Sequence, residues 1–268
     1  MNETQETLEH KVSQSIKLIQ STCKERGIVE VAYSGGKDSD VILQLVKESG
    51  IPYRAIYKNT TIDPPGTIAH VKEMGVEVVT PDKTFFQLIK EYGFPNRFSR
   101  FCCAYLKEYK ILDTVIIGVR KAESAKRKKI YTEPTECRIY KKRANVRQYR
   151  IYPILYWTDE DVENFIIDRK IQCHPLYYDD KGKFHVERRL GCMGCPLVSR
   201  KKRLVFFKKN PKWLAAWINA FTKKRSKEEC FEHLARDLFY DNQNKYFEDK
   251  NGLFPLSCED SIKTYFNL

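Results

Sequence analysis

The stretch Ser34-Gly35-Gly36-Lys37-Asp38-Ser39 constrains this chain more than any other. It follows an apolar run, residues 28–33, that reads as a buried strand. It precedes residues 40–47, whose apolar positions recur at helical spacing. A strand, a glycine turn and a helix N-terminus together form an anion site, because first-turn N–H groups lack intrahelical acceptors and the helix dipole favours negative charge. Gly35 and Gly36 let backbone approach a phosphate. Lys37 adds a point charge, and the Ser34 and Ser39 hydroxyls add donors. A Walker A loop is excluded, since it needs a glycine where Val31 stands.

The surrounding pattern predicts an α/β fold with a doubly wound, mostly parallel sheet. Residues 8–26 suit an amphipathic helix, with Cys23 in its core. Residues 53–57, 75–79 and 113–118 read as further strands, a helix begins near Pro65, and another covers 84–92. The succession of strand, helix and strand predicts right-handed crossovers. Ligands of open α/β sheets bind beyond the carboxyl ends of strands. Asn59-Thr60-Thr61-Ile62-Asp63 is therefore expected to face the same crevice as the glycine turn; a polar connection only is the alternative. Residues 119–129 leave another strand end rich in cations, where Arg120 and Arg127 suit bidentate grip of an oxyanion. Glu123 offers Arg127 a local pair, worth only ~0.3–0.5 kcal/mol on a solvated helix.

Further on, residues 138–150 mix Arg138, Lys141, Lys142, Arg143, Arg147 and Arg150 with Tyr140 and Tyr149. That is either a solvated loop or a surface on which phosphates pair and bases stack. Residues 152–156 read as a late strand. Thr158 reads as an N-cap, with acidic residues in the following first turn. Trp213, Trp217 and Phe221 recur every four residues as a core stripe. The expected organisation is a nucleotide-binding domain over residues 1–196, carrying the paired cysteines, with a helical region, 197–268, packed on it.

The 268 residues carry a formal charge of +13 and no apolar run long enough for a membrane span, so the expected partner is anionic and no membrane is involved. The N-terminus is polar and charged, unlike a secretory signal, so the cytosol is the expected compartment. Nine cysteines then read as metal ligands, redox groups or core residues rather than disulfides. Cys192 and Cys195 form a Cys-x-x-Cys pair flanked by Gly191 and Gly194, and Cys102-Cys103 is a second pair. Four thiols from two segments suit a cubane iron–sulfur cluster or tetrahedral zinc; unligated thiols are the alternative.

These motifs resemble the PP-loop ATP pyrophosphatases and, within them, the adenylyl-sulfate and phosphoadenylyl-sulfate reductase family. The loop at Ser34–Ser39 matches the SGGKDS signature. Gly118-Val119-Arg120 with Ser124 and Arg127 matches the family's Gly-x-Arg-x-x-x-Ser-x-x-Arg motif. Trp157, Asp161-Val162 and Pro175-Leu176-Tyr177 match later landmarks. The resemblance implies cleavage of ATP between its α and β phosphates, with the loop, Thr60, Gly118, Arg120 and Ser124 binding the nucleotide. It implies catalytic roles for Lys37, Asp38, Arg120 and Arg127, with Asp38 either a ligand of Mg²⁺, directly or through water, or a cap of its own helix. It also implies a [4Fe–4S] cluster on Cys102, Cys103, Cys192 and Cys195.

Two departures stand out. Asn59 replaces the usual Asp, and the late cysteine, Cys258, lacks the reductases' Glu-Cys-Gly-hydrophobic-His setting. Both fit better the iron–sulfur PP-loop enzymes of DNA backbone phosphorothioation, which also resemble the reductases and work beside a cysteine desulfurase. The expected function is ATP-driven sulfur transfer onto nucleic acid. The alternatives are a sulfonucleotide reductase and a non-enzymatic nucleic-acid-binding protein with a degenerate loop.

Overall fold

The computed structural model describes residues 7–108, 112–140, 146–238 and 258–266. The chain forms two compact units, each built from more than one stretch. The first comprises residues 1–59, 64–80 and 110–191; the second comprises 60–63, 81–109 and 192–268. This division does not follow a single boundary after residue 196. Residues 60–63 and both cysteine segments group with the C-terminal helices.

The first unit begins with α1 (Leu8–Cys23), β1 (Val29–Tyr33), α2 (Lys37–Ser49), β2 (Tyr53–Lys58), α3 (Thr67–Glu73) and β3 (Glu77–Val79). After α4 (Phe85–Tyr92) and α5 (Phe101–Leu106), which belong to the second unit, it resumes. It then adds β4 (Thr114–Ile117), α6 (Ala125–Ile130), β5 (Thr135–Tyr140), β6 (Val146–Ile151) and α7 (Asp159–Asp168). The six strands order as β3-β2-β1-β4-β6-β5, all parallel except β5. The sheet is the expected mostly parallel one. β1 lies in its middle; Val29 and Val31 on one face and Glu30 on the other are all buried, as a strand covered on both faces requires. Ile42, Leu45 and Val46 of α2, Ile116 and Ile151 of neighbouring strands, and Phe165 of α7 complete this core. Connections leave β1 toward β2 on one side while β4 lies on the other, so the crevice at their carboxyl ends is the topological switch point.

Two expectations change in this unit. Residues 152–156 are not a strand: the sheet ends at Ile151, and the chain turns with Leu155 N–H donating to the Tyr152 carbonyl at 3.1 Å. Pro153 has no N–H to give a ladder. The described parts of the basic stretch, residues 138–140 and 146–150, are not loop either. They lie in the antiparallel strands β5 and β6, whose register pairs Arg138 with Gln148 and Cys137 with Tyr149. Lys141, Lys142 and Arg143 of that stretch lie outside the described residues.

The second unit adds α8 (Arg200–Lys209), α9 (Pro211–Thr222), α10 (Lys227–Leu238) and α11 (Cys258–Phe266). Its core is aromatic. Trp217 lies within 6 Å of the ring centroids of Phe85, Phe94 and Phe207. Trp217 and Phe221 are buried and Trp213 stacks on Phe86, so the stripe is core as expected. Among the described residues no helix is long and apolar enough to cross a membrane.

Candidate active site

The glycine turn joins β1 to α2 at the switch point. Gly35 adopts φ +75°, a left-handed conformation that favours glycine, and a Cβ there would meet Thr67 at 3.2 Å and Leu190 at 3.3 Å. Gly36 is the N-cap and supplies no side-chain acceptor, so α2 opens with Lys37, Asp38 and Ser39 in its first turn. The helix thus starts three residues earlier than its apolar spacing suggests. The serines brace the turn: Ser39 Oγ donates to the Gly36 carbonyl at 2.7 Å and accepts from Ser34 N–H at 3.2 Å. Lys37 is buried, with its ammonium 3.3 Å from Asp38 Oδ2 and 5.5 Å from the Tyr177 ring centroid. Burial pushes the Tyr177 hydroxyl up to about 12, against backbone N–H donation from Lys37 and Leu190.

This turn, Gly118, Glu123, Arg127, Tyr177 and Arg189 line a cavity of about 340 Å³, the size of a small-ligand site. Gly118 follows β4, the neighbour of β1. A Cβ on it would stand 2.8 Å from the Asp38 carbonyl oxygen, so this position admits α2 only because it is glycine. Ser124 caps α6, accepting from Arg127 N–H at 3.2 Å. Arg127 pairs with Glu123, and Arg189 Nη2 donates to the Glu123 carbonyl at 2.6 Å. Two guanidinium groups therefore share one anchor on the cavity wall.

Arg120 departs from expectation. It does not line the cavity but is buried beside it, 1% exposed. Its Nε donates to Asp38 Oδ1 at 2.6 Å and its Nη2 to Asp159 Oδ1 at 2.7 Å. Burial opposes its charge, but the Asp38 and Asp159 carboxylates outweigh that and hold its pKa above the ordinary value. Both oxygens of Asp38 accept from cations, Oδ1 from Arg120 and Oδ2 from Lys37. Arg120 and Asp38 read as one positioning pair behind the turn.

Beneath α2, a buried network joins Tyr33, Asp40 and His70, with His70 Nε2 3.1 Å from Asp40 Oδ1 and 3.0 Å from the Tyr33 hydroxyl. Burial raises the Asp40 pKa, and hydrogen bonds from His70 and Tyr33 oppose that rise. Asp40 thus ties the first turns of α2 to α3.

In the second unit, Cys102 and Cys103 lie on α5 and Cys192 and Cys195 on the turn before α8. The Cys102 thiol supports Cys103 as thiolate, holding the Cys103 pKa well below the usual range, helped by Lys107 and Arg100. Cys102 in turn is pushed up, first by that same hydrogen bond and by burial, with Cys192 and Cys195 adding to the rise. Cys192 Sγ lies 3.7 Å from both Thr60 Oγ1 and Asp63 Oδ1. Thr60 is therefore a neighbour of the cysteine centre and does not line the loop cavity. Among the described residues no three Cys, His or carboxylate groups close into a metal site. In number and donor type the four thiols are those an iron–sulfur cluster takes.

The sequence reading missed Tyr177 and Arg189 as cavity residues, and Asp159 as the second partner of Arg120. Tyr177 stood within a recognised landmark, and Arg188-Arg189 is a visible cationic pair.

Three solved structures are similar to the chain. A phosphoadenylyl-sulfate reductase from Candida auris, as its phosphate complex, is 15% identical with a TM-score of 0.49, over 73% of this chain and 98% of that one. The NH₃-dependent NAD synthetase from Campylobacter jejuni is 16% identical with a TM-score of 0.42, over 82% and 96%. The FMN adenylyltransferase from Candida glabrata, with FMN and AMPCPP, is 17% identical with a TM-score of 0.41, over 63% and 59%. No curated protein matches the sequence. The sequence model of the phosphoadenosine phosphosulfate reductase domain matches residues 28–198, from β1 through the Cys192–Cys195 turn and well over half of the chain. The chain belongs to that family.

Proposed function

We propose that this protein cleaves ATP between its α and β phosphates to activate an oxygen for replacement by sulfur, with a nucleic-acid backbone phosphate as acceptor, as in DNA phosphorothioation. The observation that carries the proposal is the uncapped start of α2 with buried Lys37, opening on a cavity whose far wall holds Arg127 and Arg189. The acceptor oxyanion attacks the α-phosphorus, the bond to the bridging oxygen breaks, and pyrophosphate leaves with the electron pair. Lys37 and the first-turn amides stabilise the charge developing on pyrophosphate. Arg127 and Arg189, both held by Glu123, face oxygens of the α-phosphate and acceptor. Arg120 keeps Asp38, and with it the turn, in place. Mg²⁺ enters with ATP as part of the substrate. A persulfide charged by a cysteine desulfurase partner then attacks the acceptor phosphorus, AMP departs with the acceptor's former oxygen, and a thiol reductant cleaves the S–S bond, leaving the sulfur on the acceptor and a disulfide behind.

A [4Fe–4S] cluster held by Cys102, Cys103, Cys192 and Cys195 would supply electron-transfer or sulfur-binding chemistry. The family match favours a second reading, a sulfonucleotide reductase. In that case the Cys258 thiolate, at the start of α11, would take the sulfo group from adenylyl sulfate as AMP leaves, and a thioredoxin-type dithiol would release sulfite and itself become a disulfide.

Product analysis tests the first reading. Wild-type protein should give AMP and pyrophosphate from ATP, and Lys37→Ala should slow this by ~10²-fold or more. ADP and phosphate would refute α/β cleavage, and Cys258-dependent sulfite release would install the reductase. Anaerobic protein should show broad absorbance near ~400 nm with about four iron per chain. Cys192→Ser should bleach it and Cys23→Ser should not; zinc without iron would remove the cluster from the proposal.

A further inference from the structure

The second unit contains a cavity of about 690 Å³, roughly twice that at the glycine turn. Its walls come from residues 94–98, from the chain just after Cys195, and from α8 and α10. Arg200 and Arg203 are three apart on α8, and His233 and Arg236 are three apart on α10, so each helix turns one basic face to the same space. Among the described residues Asp237 is the sole lining carboxylate, and buried Arg203 pairs with it. Among the described residues Arg97 donates only to main-chain carbonyls, Pro196 at 3.3 Å and Val198 at 3.4 Å, and forms no ion pair with a carboxylate. Arg200 and Arg236 are exposed and form no ion pair with a carboxylate among the described residues. Among the described residues, three guanidinium groups of the cavity therefore have no carboxylate partner.

Phe98 stands at its edge, 100% exposed, whereas Phe94 of the same wall is buried. Asn96 Oδ1 accepts from Phe98 N–H and Ser99 N–H at 2.8 Å each, fixing the backbone that presents the ring. Unpaired cations around a free aromatic face suit a strand of alternating phosphates and bases. Only an unpaired base offers its face to a side chain, because a duplex stacks its bases on one another. The cavity also abuts the cysteine turn, since Arg203 Nε donates to the Gly194 carbonyl at 3.1 Å.

We infer that this cavity seats a single-stranded or locally opened nucleic-acid segment, its phosphates on Arg97, Arg200 and Arg236 and one base against Phe98. The inference rests on the nucleic-acid acceptor proposed above and moves the binding surface away from the β5–β6 hairpin. On that hairpin Arg138 pairs with Glu136, Arg150 bonds Gln148, and Arg26 covers Tyr149 at 3.8 Å.

The test uses the full chain and fluorescein-labelled oligo-dT of about 15 nucleotides, with a duplex of equal length, followed by anisotropy across a salt series. The strand should bind more tightly than the duplex. Arg200→Gln with Arg236→Gln should reduce the salt slope for the strand by about 1.4, at ~0.7 for each phosphate no longer neutralised. Phe98→Ala should weaken strand binding about tenfold, equivalent to ~1.4 kcal/mol, without changing the slope. Arg147→Gln on the hairpin should leave binding as in the wild type. If the wild type binds the strand while the Phe98 and arginine variants match it, this assignment is overturned and the acceptor class survives. The same follows if Arg147→Gln flattens the slope, or if polyglutamate displaces the strand as well as unlabelled oligo-dT does. If the wild type binds no nucleic acid, both fall.

Discussion

Removing the charge of Arg120 should destabilise the fold first and lower activity only as a consequence. Arg120→Met keeps most of the aliphatic bulk and deletes the guanidinium. Its bond to Asp159 contributes little, because that carboxylate is 56% exposed and such pairs are worth ~0–1 kcal/mol. The bond to Asp38 matters more, since Asp38 is only 17% exposed and Arg120 1%. Breaking a fully buried pair costs ~3–5 kcal/mol, and the partial solvation of Asp38 reduces this to about 2. The weak hydrogen bond to the Trp157 carbonyl, 3.4 Å, goes as well, and the sum is about 3 kcal/mol. That should lower the melting temperature by about 6–12 °C at ~2–4 °C per kcal/mol. Asp38→Asn in the same chain should recover about 1 kcal/mol, because it removes the orphaned charge. Urea titrations of wild type, both single variants and the double variant measure the coupling, and pyrophosphate release is followed in parallel. Wild-type stability in Arg120→Met, combined with a ~10²-fold or larger fall in kcat/KM, would refute the positioning role and make Arg120 a substrate ligand.

The other predictions concern close packing and one histidine. Gly118→Ala should cost ~1–3 kcal/mol and raise the KM for ATP, since the new Cβ meets Asp38 backbone at 2.8 Å and must push α2; unchanged melting and KM would show that the two elements separate freely. Gly194→Ala should cost ~2–4 kcal/mol, because φ is +73° and the Cβ would stand 2.8 Å from Phe207 and 2.9 Å from Trp217; a thermal melt decides. His174 is held neutral by burial and by nearby His70, and its Nδ1 already accepts from Leu176 N–H at 3.0 Å. Its folded pKa lies below the unfolded one, so its contribution is complete above about pH 6.5 and is lost as pH falls, by at most ~1.4 kcal/mol per pH unit. His174→Asn should remove that part of the slope between about pH 7 and pH 5, and an identical slope in the variant would assign the acid loss elsewhere.

The parts of this site that were legible in the sequence are those whose cause is local. A glycine pair between a period-free apolar run and a helical pattern places the anion turn without tertiary information, and the capping box at Thr158 and Asp161 is likewise short-range. The hairpin was legible in principle: Arg147, Tyr149 and Ile151 alternate with Val146, Gln148 and Arg150. The number of cations drew attention to charge instead of to that period of two. What local pattern could not carry was the assignment of partners. Arg120 meets Asp38 across 82 positions and Asp159 across 39, and Thr60 meets Cys192 across 132. A run of cations in sequence therefore does not measure available charge. Folding sorts them: Arg120 and Arg203 are buried against carboxylates and hold elements in place, whereas Arg200 and Arg236 have no carboxylate partner among the described residues. The +13 excess identifies an anionic partner, but the surface that meets it is found only by subtracting the arginines the fold has already used.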